Sequence, residues 1–161
     1  MDNINKQEAG VMPISYNIIA TCKNADGSVA WKDEKKNLIA KVGRSVFAAI
    51  LAHITTNTGA IEWGALGDDT TAPAASDTTL GNETIRKAPN SYGQGAGDNT
   101  NKAYITFIYA VDEAVGTHKE FGTFIDGSAA ADSGVLFSHV AVDWVKTDQQ
   151  SLTIDVIYTV S

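Results

Sequence analysis

Histidines are the side chains of this sequence best suited to acid–base or metal chemistry, and their spacing decides what they could do. They stand at positions 53, 118 and 139. This spacing matches neither the H-E-x-x-H nor the H-x-x-E-H motif of zinc proteases. A lone histidine is more often partly buried and hydrogen-bonded than bound to a metal. No G-x-S-x-G segment marks a nucleophilic serine. We therefore expect no catalytic site and a protein that is not an enzyme.

Acidic residues gather between positions 68 and 83, where Asp68, Asp69, Asp77 and Glu83 lie close in sequence. Calcium takes roughly six to eight oxygen ligands, so these four residues are weak candidates for a metal site. Their spacing does not match an EF-hand, and a solvated acidic loop is the better interpretation. The sequence predicts no bound metal.

The segment 93–97, GQGAG, resembles a phosphate-binding loop only in composition. No Lys-Ser or Lys-Thr pair follows it and no helix is predicted after it, although a nucleotide-binding loop requires both. Cys22 falls on the apolar face of a predicted strand and is interpreted as a small buried residue rather than a nucleophile. The tryptophans at 31, 63 and 144 are interpreted as core or interface anchors. We therefore predict no cofactor.

Charge argues against two classes of partner. The 161 residues include 12 basic and 19 acidic side chains, for a formal net charge of −7. Nucleic acid and anionic lipid are bound by clustered Lys and Arg, whereas the one basic cluster, 32–36, contains two acidic residues. We expect neither nucleic acid nor a membrane as a partner. The first residues lack the apolar core of a signal peptide, which predicts synthesis and use in a cytoplasm, or release by lysis.

Alternation of apolar and polar residues predicts a mostly β protein with six or seven strands. Apolar residues also recur at spacings of three and four, which predicts one amphipathic helix from about Leu38 to His53. Asn37 is its predicted N-cap, and Val46 and Ile50 are expected in the core. An antiparallel two-sheet sandwich, jelly-roll-like and covered by the helix, fits these elements. The predicted strands are 14–23, 29–34, 61–67, 102–111, 117–125, 135–145 and 152–160.

The chain is predicted to form an extended arm, 1–12, followed by one β-sandwich domain, 13–161. A long loop is expected at about 67–101, because this stretch is rich in Gly, Asp, Thr, Asn and Ser. The strand at 102–111 is apolar on both faces, which indicates a central strand or an interface on its outer side. The predicted interface residues are Tyr104, Ile108, Leu80, Ile85 and Tyr92.

Six short segments follow one another along the second part of the chain. They are KNLIAKVG at 36–43, WGALG at 63–67, DTTLGNETIR at 77–86, EFGTF at 120–124, GVLFS at 134–138 and SLTI at 151–154. Each segment alone has low specificity, but their order and spacing resemble those of small structural proteins of tailed bacteriophages, and the resemblance covers about residues 27–161.

The resemblance implies a structural or accessory subunit of a bacteriophage virion, of tail, fibre-attachment, collar or head-decoration type. Such a subunit is made in the host bacterial cytoplasm, is located in the virion, and binds other virion proteins and copies of itself. The family has no catalytic residues to transfer. The alternative is a glycan- or receptor-binding β-sandwich module, in which loops at 67–101 and 112–134 present exposed Trp or Tyr to a host glycan or receptor.

Overall fold

The computed structural model describes residues 14–36 and 38–161. The predicted arm, 1–12, and the predicted N-cap, Asn37, lie outside the described residues. The described elements are β1 (Ile14–Asn24), β2 (Val29–Lys36), β3 (Leu38–Ile39), α1 (Lys41–Leu51), β4 (Ile61–Gly67), β5 (Glu83–Lys87), β6 (Ser91–Gln94), a 3₁₀ turn (Gly97–Asn99), β7 (Lys102–Tyr109), β8 (Gly116–Ile125), β9 (Val135–Lys146) and β10 (Gln150–Val160).

The strands form two antiparallel sheets that pack face to face. Sheet A has the order β2-β1-β10-β7-β6, and sheet B has the order β3-β9-β8-β4-β5. Aromatic side chains join the two sheets across the core: the ring centroids of Phe107 and Phe121 lie 6.0 Å apart, as do those of Trp31 and Trp144. The predicted mostly β, two-sheet sandwich with one helix is confirmed.

Period-two patterning explains the long strands of sheet A. β1 and β10 pair along their whole length, from Ile14 opposite Val160 to Asn24 opposite Gln150. Their inward residues are apolar and buried, and a slip of one residue would turn this whole set to solvent. Gly27, with a φ of 84°, closes the β1–β2 hairpin in a conformation that suits glycine.

The helix is shorter than predicted, because its first expected residues form β3 and pair with β9 instead. Ala40 occupies the N-cap position of α1. Val46 is buried as expected, but Ile50 is 37% exposed, so its assignment to the core is wrong. The reason is the narrow contact of α1 with β9. A Cβ at Gly43 would lie 2.7 Å from Phe137 Cα, and Gly43 and Val46 are the residues of α1 that are buried.

The stretch 67–101 is not one long loop, and that prediction is wrong. It contains β5, which pairs with β4 at the edge of sheet B, and β6, which pairs with β7 at the edge of sheet A. Both strands are short and mostly polar, as edge strands commonly are, so apolar alternation could not reveal them. The residues between β4 and β5, 68–82, contact the outer face of sheet B through Asp77, Leu80 and Gly81.

Candidate functional site

One histidine on the outer face of sheet B lies between two carboxylates. Glu120 of β8 and His139 of β9 are on neighbouring strands and are 1% and 4% exposed. His139 Nε2 lies 2.8 Å from Glu120 Oε2, and His139 Nδ1 lies 2.8 Å from Asp77 Oδ2. Asp77 belongs to the segment 68–82. We call these three residues the latch, because they join that segment to two strands of sheet B.

The carboxylate of Glu120 has further partners in the same segment. The backbone N–H of Gly81 donates to Oε2 at 2.9 Å, and the backbone N–H of Asn82 donates to Oε1 at 2.8 Å. A buried carboxylate is tolerated only when hydrogen bonds or charges replace its lost hydration. Glu120 therefore fixes the end of the segment 68–82 directly before β5 begins.

The contacts of His139 limit what chemistry the latch can perform. A general base needs a ring nitrogen within hydrogen-bond reach of the proton it removes, yet both nitrogens already face carboxylates. A polar hollow of about 410 Å³ lies beside the ring. Asp69 lines this hollow, and hydrogen bonds from the backbone N–H and hydroxyl of Thr71 lower the pKa of its carboxyl group. The geometry fits a structural latch better than a catalytic dyad.

Arg86 of β5 forms a buried ion pair on the same face. Its Nε and Nη2 donate to the two carboxylate oxygens of Glu83 at 2.5 and 2.7 Å. Its Nη1 donates to the carbonyl oxygens of Ser128 at 3.0 Å and Ser133 at 2.9 Å. The guanidinium carbon also lies 4.7 Å from the ring centroid of Phe124, a favourable cation–π distance. Arg86 thus ties the loop between β8 and β9 to the edge of sheet B.

Close packing completes this face of the sheet. A Cβ at Gly122 would lie 2.8 Å from Leu80 Cδ2 and 2.9 Å from the carbonyl oxygen of Ser138. Glycine therefore allows the segment 68–82 to approach β8. A small apolar cluster surrounds this contact and consists of Ala40, Ala65, Leu80, Phe124 and Leu136.

The latch and its surroundings were largely missed by sequence reasoning. Residues of the segments 36–43, 63–67, 77–86, 120–124 and 134–138 contribute to this face. These ordered segments therefore supply residues that pack and form hydrogen bonds on this face. One signal could have pointed to the latch: a glutamate and a histidine stand inside otherwise apolar strands, where an ionisable residue needs a partner.

The structure separates the four acidic residues that were candidates for a metal site. Asp77 belongs to the latch, and Glu83 pairs with Arg86. Asp68 accepts a hydrogen bond from Asn82 Nδ2 at 2.6 Å, and Asp69 is bonded to its own loop. Within 14–36 and 38–161, no group of three or more His, Cys, Asp or Glu side chains is placed to hold a metal ion.

An apolar groove of about 800 Å³ opens at the end of the sandwich where β1 begins and β10 ends. We call it the end groove. Its only charged lining residue among those described is Glu62, and Gln94 is the other long polar side chain. The lining residues used below are Ile14, Phe47, Ile61, Tyr92, Tyr104 and Val160.

Helix α1 continues the apolar surface beside the end groove. Phe47 lines the groove, and Ile50 packs its Cδ1 against Gly59, which also lines it. Leu51 is 86% exposed, and Ile54, just beyond the helix, is 55% exposed. Single exposed apolar residues are ordinary, but contiguous ones are typical of interaction surfaces.

The five predicted interface residues fall into two groups. Tyr104 and Ile108 are 38% and 40% exposed on the outer face of sheet A, and Tyr92 is 80% exposed beside the end groove. Leu80 is buried in the small cluster on sheet B, and Ile85 packs against the main core. The last two therefore contact their own domain, where they anchor the chain around β5.

No protein-family model, curated protein or solved structure matches this chain. Across the described ranges, no helix combines the length and the apolar character needed to cross a bilayer. Function is therefore inferred from the latch, the end groove, the exposed apolar residues and the order of the sequence segments.

Proposed function

We propose that this protein is a structural or accessory subunit of a bacteriophage virion and acts by protein–protein assembly. The observation that supports assembly is the continuous apolar surface formed by the end groove and the exposed residues of α1. Monomeric soluble proteins rarely expose large contiguous apolar patches, and such patches commonly bind a partner. Covering this surface with another subunit would remove it from water.

The outer face of sheet A provides a second contact surface. Tyr104 and Ile108 are four residues apart on β7 and therefore point to the same face of sheet A. They lie opposite Ile157 and Thr153 of β10, respectively. The outer face of an antiparallel sheet is normally polar when it faces water. Large apolar side chains at this position favour a partner there as well.

The bacteriophage part of the proposal is supported by the ordered segments of the sequence. Several of them supply the latch, the Arg86 ion pair and the close contact at Gly122. These contacts hold the segment 68–82 and the loop between β8 and β9 on sheet B. Such fixed loops suit a subunit that must keep one rigid shape inside a large assembly. Placement in a virion rests on the resemblance itself.

Incorporation into particles tests this proposal. Particles purified by density-gradient centrifugation from the producing cells are expected to contain the chain at a fixed copy number by quantitative mass spectrometry. The double variant Tyr104→Asp/Ile108→Asp is expected to reduce incorporation at least ~10-fold, because it places charges in a desolvated contact. Val115→Asp is the matched control, since Val115 is 50% exposed between β7 and β8 and does not line the end groove.

Two outcomes would contradict the proposal. One is a wild-type chain that is absent from the particles and recovered only as a free monomer. The other is a double variant that unfolds at the same temperature as wild type and is incorporated equally well.

A glycan- or receptor-binding module is the second candidate, and the end groove is again the site. Tyr92 and Tyr104 line the groove beside Gln94 and Glu62, and tyrosine rings can stack on sugars. Sugar recognition also needs several convergent hydrogen-bonding groups, whereas most of this lining is apolar, so we place this function second. Titration calorimetry with host surface oligosaccharides tests it: binding that Tyr92→Ala abolishes would favour it over assembly.

A further inference from the structure

The two sheets have four edges, and each edge strand leaves N–H and C=O groups that can pair with another chain. The edges of sheet A are β2 and β6, and those of sheet B are β3 and β5. Proteins avoid unwanted pairing by making edge strands very short or by placing charges on them. The four edges can therefore be compared by their length and charge.

Three of the four edges carry such protection. β2 ends in five consecutive charged residues, 32–36. β3 is only two residues long. β5 carries Glu83, Arg86 and Lys87, and the first two also hold the loop between β8 and β9 beside it through Asp132 and Ser133. None of these edges is suited to pairing with another strand.

β6 differs from the other edges. Its sequence, Ser-Tyr-Gly-Gln, carries no charge, and all four residues are exposed. A Cβ placed on Gly93 would meet nothing within 4 Å, so another backbone could approach there. Tyr92, Gly93 and Gln94 also form one border of the end groove. Among residues 14–36 and 38–161, β6 is thus an open edge beside an apolar surface.

We propose that β6 pairs with β6 of a second copy of this chain, so that sheet A continues across a two-fold axis and the two end grooves adjoin. This inference rests on the proposed assembly function. Antiparallel pairing of identical strands is an isologous contact, in which each copy uses the same surface. The pairing adds backbone hydrogen bonds, and the grooves add apolar contact.

Charge favours a second copy as the occupant. Each chain has a net charge of −7, so two copies repel each other wherever acidic surfaces meet. β6 has no charged residue, and among the described lining residues of the end groove only Glu62 is charged. Two copies that meet here bring neutral, apolar surfaces together.

Area supports a contact that is larger than the strand alone. A four-residue strand spans only about 13 Å, whereas a stable interface buries about 800 Å² per partner. Further apolar area is available in the end groove beside β6, because Tyr92 is 80% exposed and lines that groove together with Phe47 and Ile61. Because the contact is two-fold, both copies contribute these residues to it.

Sedimentation velocity over a concentration series of the full chain tests the inference. Wild type is expected to form dimers as concentration rises, and Tyr92→Lys is expected to weaken the dimer at least ~10-fold, because like charges then meet across the two-fold axis. Val115→Lys is the control and is expected to dimerise like wild type. As a second readout, hydrogen exchange of the amides at 91–94 is expected to slow in the dimer.

A wild-type chain that stays monomeric at all concentrations would overturn the inference, as would a dimer that Tyr92→Lys leaves unchanged. These outcomes are distinct from failure of the proposed function. If wild type enters particles but never pairs through β6, the inference fails and the assembly proposal stands. If wild type dimerises through β6 but is absent from particles, the virion proposal fails and the pairing stands.

Discussion

His139 Nε2 lies 2.8 Å from Glu120 Oε2 across two neighbouring strands of sheet B. Asp77 contacts the other ring nitrogen, so one histidine joins two strands to the segment 68–82. Both ring nitrogens are engaged, which makes this cluster a means of holding a loop. Its removal is expected to affect stability first and assembly as a consequence.

Glu120→Gln is expected to lower the free energy of unfolding by about 1–3 kcal/mol. The amide keeps one acceptor oxygen, so it cannot accept from the backbone N–H of Gly81 at one oxygen and from that of Asn82 at the other, as the carboxylate does. Urea unfolding followed by fluorescence measures the change. Glu34→Gln is the matched control, because Glu34 is exposed on β2 and is expected to change stability by less than about 0.5 kcal/mol. Equal effects of the two substitutions would show that Glu120 does not stabilise the fold.

Gly122→Ala is expected to destabilise the protein by about 1–3 kcal/mol. The added methyl group would collide with Leu80 and with the carbonyl oxygen of Ser138. Gly93→Ala is the control, since a Cβ there meets nothing within 4 Å, and we expect it to be nearly neutral. Thermal unfolding compares the two variants, and a neutral Gly122→Ala would contradict the close approach of the segment 68–82 to β8.

The observed position of α1 gives a prediction about two of its apolar residues, Val46 and Ile50. Val46→Ala is expected to lower the free energy of unfolding by about 1–3 kcal/mol, because Val46 is buried and α1 packs on β9. Ile50→Ala is expected to cost less, since Ile50 is 37% exposed. Urea unfolding of both variants measures the order. A larger loss of unfolding free energy for Ile50→Ala than for Val46→Ala would show that Ile50 is buried in the core, as the sequence predicts.

Cys22 is expected to resist thiol reagents in the folded protein and to react at once in denaturant. Its side chain is 0% exposed, and burial raises the pKa of the thiol, an effect that Lys146 partly offsets. The thiolate is the reactive form. Because burial raises the folded pKa above the ordinary value of 9.0, ionisation of the thiol favours the unfolded state. The contribution of the buried, protonated thiol to stability is therefore fully present below pH 9.0 and is lost as pH rises through the folded pKa. Rapid labelling of the native protein would contradict this burial.

Apolar alternation was sufficient to predict β1 and β10, because they bury every second residue along most of their length. β4, β8 and the first half of β9 bury consecutive residues instead, and their apolar content indicated strands without alternation. The same signal could not reveal β5 and β6, which are short, polar edges. It also misplaced the start of the helix, since Leu38 and Ile39 continue the helical spacing while they pair with β9. Local pattern alone could not decide between the two structures.

The latch could not be predicted, because its members are distant in sequence. Asp77 and His139 are 62 positions apart, and Glu120 and His139 are 19 apart. They meet because of the order of strands in sheet B and the register of β8 with β9, which neither composition nor spacing determines. In the sequence Asp77 is a weak candidate metal ligand and the first residue of the segment 77–86, and neither property indicates His139 as its partner.

We propose that the exposed apolar surface of this protein is an assembly surface, and hydrogen–deuterium exchange of the free subunit and of the assembled particle tests this claim most directly. We expect slower exchange in the particle at 91–94 and 102–105, which border the end groove, and little change at 116–119, at the start of β8. Equal exchange of all these segments in the free and assembled states would contradict the claim.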